Sequence, residues 1–132
     1  MKNHSLDKNL VKVDVQAQAQ SDTAKHLVDF VCYELKEIKA DKITKLNVSK
    51  RTTVTDYIVV CGANSKRHAK AIGEKLMTEA KRQKLSFMGI EGAEESEWIL
   101  VDLLYVVVHI MLAETRDFYK LEDLWSENLN VL

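Results

Sequence analysis

Four ionisable side chains in or beside strand-like segments could do chemistry: Asp56, Glu91, Asp102 and His109. Carboxylates and imidazoles are the groups that proteins use as general acids and bases and as metal ligands. Side chains alternate along a strand, so His109 shares one strand face with the apolar residues Val107 and Met111. That setting favours a structural or contact histidine over a metal ligand.

A catalytic or metal site would need partners for these residues. No second histidine or cysteine lies at ligand spacing from His109, and no Gly-x-Ser-x-Gly, His-Glu-x-x-His or Walker-type motif is present. The segment that most resembles a phosphate-binding loop is the turn Gly62–Ser65, which precedes a basic helix. One alternative therefore stays open: a nucleotide-binding or nucleotidyltransferase-type enzyme in which this turn holds phosphate while Asp56 and Asp102 hold a metal.

The charges are unevenly distributed along a chain whose net charge is −1. Segment 65–84 has seven basic residues against two acidic ones, whereas segment 91–128 has ten carboxylates against two basic residues. The acidic segment is either a solvated surface or a surface for a basic partner, since complementary fields speed and orient encounter. Direct sequence-specific binding of nucleic acid by this segment is not expected, because such binding needs basic side chains.

The chain also indicates its compartment. Cys32 and Cys61 lie in apolar segments without Cys-x-x-Cys spacing, which predicts reduced, buried thiols. The first twenty residues have no apolar stretch typical of a signal peptide, and no window approaches the roughly 20 apolar residues of a membrane span. We therefore expect a cytoplasmic protein without a membrane segment.

The length of 132 residues suits one domain. Residues 1–20 are polar and predict a flexible tail, residues 21–127 the folded domain, and residues 128–132 a short C-terminal tail. Ser21 is the expected N-cap of a first helix that runs to about Lys39, and Ser65 is the expected N-cap of a second helix. Five strands are expected at about 43–48, 57–61, 85–90, 98–102 and 106–111, and a last helix from about Glu114 should bury Phe118, Leu121, Leu124 and Trp125.

This order, α-β-β-α-β-β-β-α, predicts an α/β fold with a mixed five-stranded sheet. Strands joined by short connections must pair antiparallel, whereas the helix after the second strand permits a parallel crossover. Several strands are apolar on both faces, so helices should cover the sheet on both sides.

The segment around Trp98 is the strongest candidate for binding. Trp98, Leu100 and Asp102 share a strand face, and three bulky residues, Leu103 to Tyr105, follow where the chain must reverse. Tight turns usually use Gly, Asn or Asp, so these residues suggest partner contact or a looser loop. Tryptophan and tyrosine at an exposed strand end are typical interface anchors. The alternative is that Trp98 packs in the core.

Several motifs, spread in order over roughly residues 22–126, resemble the ribosomal silencing factors (the RsfS/Iojap/YbeB family). In the first half they are Asp41-Lys42-Ile43, Leu46-Asn47-Val48, Thr55-Asp56-Tyr57, Val59-Val60-Cys61-Gly62 and Ser65-x-Arg67-His68. In the second half they are Gly89-x-Glu91-Gly92, Trp98-x-Leu100-x-Asp102-Leu103, Val108-His109-Ile110-Met111, Glu114-x-Arg116-x-Phe118-Tyr119 and Leu121-Glu122-x-Leu124-Trp125. At one place the chain departs from the family, which commonly has Gly-Asp where this sequence has Leu104-Tyr105.

The resemblance implies a nucleotidyltransferase-like fold that has lost catalytic use, and we expect no cofactor and no metal. It implies binding to the large ribosomal subunit through that subunit's protein number fourteen, which blocks joining of the small subunit and represses translation when nutrients fail. A homodimer is also plausible in such a family. Carried over to this chain, the contact residues would be Trp98, Leu103 and Met111, with Asp102, His109 and Tyr119 as neighbours.

Overall fold

The computed structural model describes residues 4–85 and 89–125, with residues 4–16 described by their backbone alone. Its elements are α1 (His4–Glu37), β1 (Asp41–Asn47), β2 (Tyr57–Ala63), α2 (Lys66–Arg82), β3 (Gly89–Glu91), β4 (Trp98–Asp102), β5 (Val106–Leu112), α3 (Ala113–Tyr119) and α4 (Leu121–Leu124). The expected element order is confirmed, except that the last helix is divided in two.

The five strands form one mixed sheet in the order β1-β2-β5-β4-β3. β2 and β5 pair in parallel, and the other neighbours pair antiparallel. α2 carries the chain from β2 across the sheet to the short edge strand β3. The mixed five-stranded sheet predicted from the sequence is therefore confirmed, while the nucleotidyltransferase-like label stays a prediction.

Two layers cover the sheet unequally. α1 and α2 cover one face, where the buried α2 stripe predicted from the sequence (Ala69, Ile72, Leu76 and Ala80) packs in the main core. A smaller apolar cluster lies on the opposite face and includes Val48, Ile58, Met111 and Leu121 of α4. The part of that second face formed by β4 and β5 leaves Trp98, Leu100 and Asp102 partly exposed, and most of the candidate contact residues lie on it.

Local capping explains where α2 begins. The Ser65 side chain accepts a hydrogen bond from the backbone N–H of His68, which confirms Ser65 as the N-cap. The His68 ring lies 3.0 Å from the Asn64 backbone nitrogen and 2.9 Å from the Ile38 carbonyl, so it joins the end of α1 to the start of α2.

The expected start of the first helix at Ser21 is wrong. α1 begins at His4 and runs through Ser21, because residues 1–20 contain neither proline nor glycine to stop a helix. The described side chains of α1 are exposed until Ala24, which is the first buried one. The division of the chain into tails and a domain stays a prediction, and residues 128–132 lie outside the described residues.

The last helix also differs from expectation. Lys120 adopts a left-handed conformation with φ of 47° between α3 and α4, which redirects the chain. Leu121 is buried as predicted, but Phe118 is 78% exposed and Leu124 is 62% exposed. The predicted burial of Phe118 and Leu124 is therefore wrong, because the break at Lys120 turns them out of the apolar stripe.

No helix in the described part of the chain combines the length and the apolar character that crossing a membrane requires.

Candidate protein-binding surface

The face of β4 and β5 that points away from α1 and α2 is here called the open face. It is formed by the cross-strand pairs Trp98 with Met111, Leu100 with His109, and Asp102 with Val107. The alternate residues Ile99 and Val101 are fully buried on the helix side. The expectation that Trp98, Leu100 and Asp102 share one face, and that Val107, His109 and Met111 share one face, is confirmed.

A hydrogen bond joins the two most distinctive side chains of this face. Trp98 Nε1 donates to His109 Nδ1 at 2.9 Å. An indole nitrogen can only donate, so His109 must be neutral and must carry its proton on Nε2. Burial lowers the pKa of His109 to about 4, which keeps the ring neutral near pH 7.

An aromatic cluster continues from Trp98 towards the C-terminal helices. The Tyr119 ring lies 4.8 Å from the Trp98 ring, and the Phe118 ring lies 4.9 Å from the Tyr119 ring. Tyr119 is 52% exposed and Phe118 is 78% exposed. The structure therefore brings together three residues from two elements, Trp98, Phe118 and Tyr119, as one partly exposed aromatic patch.

Two of the residues assigned to partner contact lie below the surface. Leu103 is 1% exposed and packs in the main core on the helix side, whereas Met111 is fully buried beneath the opposite face. The expected surface position of these two side chains is not what the structure has. The reason is that Leu103 continues the inward alternation of β4 beyond Asp102, and Met111 lies under Trp98. Both lie beneath the surface of the free chain, and their part in partner contact stays a prediction.

An acidic cavity adjoins Trp98. Its volume is about 620 Å³, and its lining includes Glu94, Glu95, Glu97, Trp98 and Tyr119. Gly92 begins this loop with φ of 84°, and a Cβ atom there would lie 2.2 Å from the Trp98 carbonyl oxygen. Only glycine therefore lets the acidic loop lie against the start of β4.

The two aspartates considered as metal ligands, Asp56 and Asp102, make local hydrogen bonds. Asp56 accepts weak hydrogen bonds from Gln20 Nε2, and Asp102 Oδ1 accepts one from the Leu104 backbone N–H at 2.9 Å. Glu91 lies exposed on the edge strand β3. Among the described side chains, in residues 17–85 and 89–125, no group of three or more His, Cys, Asp or Glu could hold a metal ion.

The turn considered as a phosphate cradle is used within the fold. The Ser65 hydroxyl accepts from the backbone N–H of His68, and the Asn64 N–H donates to the His68 ring. Cys32 and Cys61 are free thiols, as expected, and burial raises the pKa of Cys61 to about 12. The hydrogen bonds of Asn64, Ser65 and His68 thus stabilise the start of α2.

Arg116 is a buried residue whose role was missed by sequence reasoning. Its guanidinium donates to Glu122 Oε2 at 2.8 Å, to the Lys42 carbonyl at 2.7 Å and to Thr44 Oγ1 at 2.9 Å. It thus ties α3 and α4 to the bulged start of β1. The available signal was a lone arginine in an acidic segment, six residues before a glutamate.

Comparison with known proteins gives a consistent result. A profile of the family described as "Ribosomal silencing factor during starvation" matches residues 21–131. The ribosomal silencing factor of Haemophilus influenzae is 35% identical over 100 residues, which cover 76% of this chain and 98% of that protein. A mouse protein named "Mitochondrial assembly of ribosomal large subunit protein 1" is 34% identical over 106 residues, covering 78% of this chain and 46% of the mouse protein. A crystal structure from Chromobacterium violaceum superposes with a TM-score of 0.75 at 35% identity, covering 76% of this chain and 84% of that one.

Proposed function

The chain belongs to the ribosomal silencing factor family, and we propose that it binds the large ribosomal subunit through that subunit's protein number fourteen. Bound there, it would block joining of the small subunit and so repress translation when nutrients are limiting. Two bodies cannot occupy one docking surface, so this inhibition needs affinity and bulk but no catalytic step and no cofactor. The name of the mouse relative, which refers to assembly of the large subunit, supports the choice of subunit. The expected cytoplasmic location belongs to the same proposal.

The observation that carries the proposal is the aromatic patch at the end of the open face. Trp98, Phe118 and Tyr119 expose ring surface that the fold does not use. Protein interfaces are enriched in such aromatic anchors, and a few of them usually carry most of the binding energy. His109 fixes the indole of Trp98 through the 2.9 Å hydrogen bond, so little side-chain freedom remains to be lost on binding.

The charge around the patch suits a ribosomal partner. Glu94 and Glu95 are exposed beside the aromatic patch, in the acidic segment of the chain. Ribosomal proteins are commonly basic, so complementary charge would speed and orient their encounter with this surface. Asp102, farther along the same face, adds to the negative potential.

A homodimer is part of the proposal as a competing state. Phe118 of the aromatic patch is 78% exposed and Leu124 of α4 is 62% exposed, and a second copy could cover them. A dimer of this kind would hide the ribosome-binding surface. Sedimentation of the pure protein over a range of concentrations, with and without Phe118→Ser, would detect it.

Replacing Trp98 by alanine tests the proposed function directly. We expect the affinity for isolated large subunits to fall at least tenfold, about 1.4 kcal/mol, because the ring that anchors the contact is removed. Co-sedimentation with large subunits measures this, and a subunit-joining assay should show lost inhibition. The parent chain should not co-sediment with joined ribosomes.

The matched control is Tyr33→Ala, which removes an aromatic ring that is 60% exposed on α1, on the other side of the sheet. That variant should bind like the parent. Melting temperatures of both variants establish whether they fold. If Trp98→Ala does not fold, Tyr119→Ala provides the second variant. Unchanged affinity of folded Trp98→Ala would refute the role of the patch.

Reversing the charge of the acidic loop tests whether electrostatic attraction contributes to the proposed ribosome contact. We expect Glu94→Lys with Glu95→Lys to slow association with large subunits about three- to tenfold at low salt, because a rim charge acts mainly on the encounter rate. The difference from the parent should shrink as salt is raised. The control is Asp29→Lys with Glu37→Lys, which makes the same change in net charge at exposed positions of α1. Equal slowing by both pairs would mean that net charge, and not this loop, matters.

A further inference from the structure

The turn between β4 and β5 contains an unusual backbone conformation. Leu104 has φ of 75°, the largest positive φ among the six non-glycine residues that have one in the described part of the chain. The other five are lysines or a serine: Lys39, Lys42, Lys84, Ser96 and Lys120. Lys39, Lys84 and Lys120 end helices, where such a conformation is common. Leu104 is the one apolar residue of the six, and an L side chain there is strained.

Hydrogen bonds hold Leu104 in this conformation. The Tyr105 N–H donates to the Leu103 carbonyl at 3.0 Å, so a three-residue turn closes around Leu104. The Leu104 N–H donates to Asp102 Oδ1 at 2.9 Å, and the Leu103 N–H donates to the Val106 carbonyl at 2.9 Å. None of these bonds uses the Leu104 side chain, so glycine would satisfy the same turn without strain.

The side chain itself is not needed to complete the core. Leu104 is 40% exposed, whereas Leu103 and Val106 on either side of the turn are 1% and 0% exposed. A second exposed apolar residue, Val54, lies in the neighbouring loop, which is joined to this turn because the Asp56 and Tyr57 N–H groups both donate to the Tyr105 carbonyl. The end of the molecule opposite Trp98 therefore displays apolar side chains as well.

The two ends of the β4–β5 hairpin, at Trp98 and at Leu104, lie close enough together to contact one partner. The four residue steps from Trp98 to Asp102 span about 13 Å along the strand. A protein interface of standard size buries about 800 Å² on each partner, a patch roughly 30 Å across. A contact centred on Leu100 and His109 would thus extend from Trp98 to Leu104.

We propose that Leu104 is a specificity-determining contact residue for the same ribosomal partner, displayed at the cost of backbone strain. This inference rests on the proposed function and extends its footprint along the whole β4–β5 hairpin. The partner surface opposite the turn would be apolar, in contrast to the basic surface opposite the acidic loop. Strain that is kept at an exposed apolar residue is the pattern expected where binding, and not folding, needs the side chain.

The test is a comparison of Leu104→Gly with Leu104→Met. Glycine should raise the melting temperature by about 3–5 °C, because it relieves the strained φ, and should lower the affinity for isolated large subunits about fivefold. Methionine keeps an apolar side chain of similar size and should retain affinity within twofold. The control is Tyr33→Ala, which is far from the hairpin and should leave the affinity for large subunits unchanged.

Each outcome decides the inference. A more stable glycine variant with weaker binding supports it. Unchanged affinity of Leu104→Gly, an affinity loss as large for methionine as for glycine, or no gain in melting temperature for glycine overturns it while leaving the Trp98 result intact. If the parent chain does not bind large subunits, the proposed function is wrong and this inference falls with it.

Discussion

Replacing Arg116 by leucine is expected to lower the free energy of unfolding by about 3–5 kcal/mol, the range found when one partner of a buried ion pair is removed. The Arg116 side chain is 9% exposed and that of Glu122 is 28% exposed. The change leaves the Glu122 carboxylate without its cation and the Lys42 carbonyl without its donor. Glu122 Oε1 is buried and already has no partner within the described residues, so the carboxylate depends on Oε2 and Arg116. Urea unfolding at pH 7 measures the loss.

A double substitution separates the charge effect from the packing effect. Arg116→Leu with Glu122→Leu should recover part of the lost stability, because no uncompensated charge remains. The matched control is Lys66→Ala, which breaks the exposed 3.7 Å ion pair with Glu97 and should cost less than about 1 kcal/mol. If Arg116→Leu stays within 1 kcal/mol of the parent, the arginine does not hold the C-terminal helices to the sheet.

The parts of the fold that could be predicted from the sequence depend on short-range rules. Strand alternation predicted the faces of β4 and β5, helical spacing predicted the buried stripe of α2, and the Ser65 hydroxyl predicted the start of that helix. In each case neighbours within four residues determine the outcome, so the pattern is visible in the chain.

Other parts of the fold differ from the prediction, because they depend on features that the pattern of a short sequence segment does not show. Periodicity continued through Lys120, but a left-handed residue there exposes Phe118 and so creates much of the aromatic patch. α1 passes Ser21 because a possible cap does not end a helix when the preceding residues can also be helical. The turn at Leu104 could not be predicted either, because its conformation is unusual for leucine.

The candidate site shows the same division. Trp98 could be predicted as an anchor from its residue type and position, and that role stays a prediction. Its partner could not be identified, because the hydrogen bond to His109 depends on the register in which Leu100 lies opposite His109. Arg116 could not be identified either, since its acceptors on β1 are more than seventy residues away in the sequence.

The second prediction concerns the pH dependence that His109 gives to stability. Its pKa is lowered by burial from the ordinary 6.5 to about 4 in the folded protein. As pH falls through 6.5 the unfolded chain takes up a proton at this position and the folded protein does not, so the unfolded state is favoured. The contribution of His109 to the free energy of unfolding is fully present above about pH 6.5. It is lost progressively as the pH falls to 4, by about 3 kcal/mol in total.

The control must remove this titration and keep the hydrogen bond. His109→Gln does so, because the Gln side-chain oxygen can accept from Trp98 Nε1 and the amide does not titrate. Urea unfolding of both proteins between pH 7 and pH 4 cancels the groups that they share, including the other histidines and the carboxylates. The parent should lose about 3 kcal/mol more than the variant over this range, and Trp fluorescence should report the same midpoints. Parallel pH profiles for the two proteins would mean that burial does not lower the pKa of His109. In that case the ring would be protonated on both nitrogens below about pH 6.5, and the hydrogen bond that fixes Trp98 would form only above that pH.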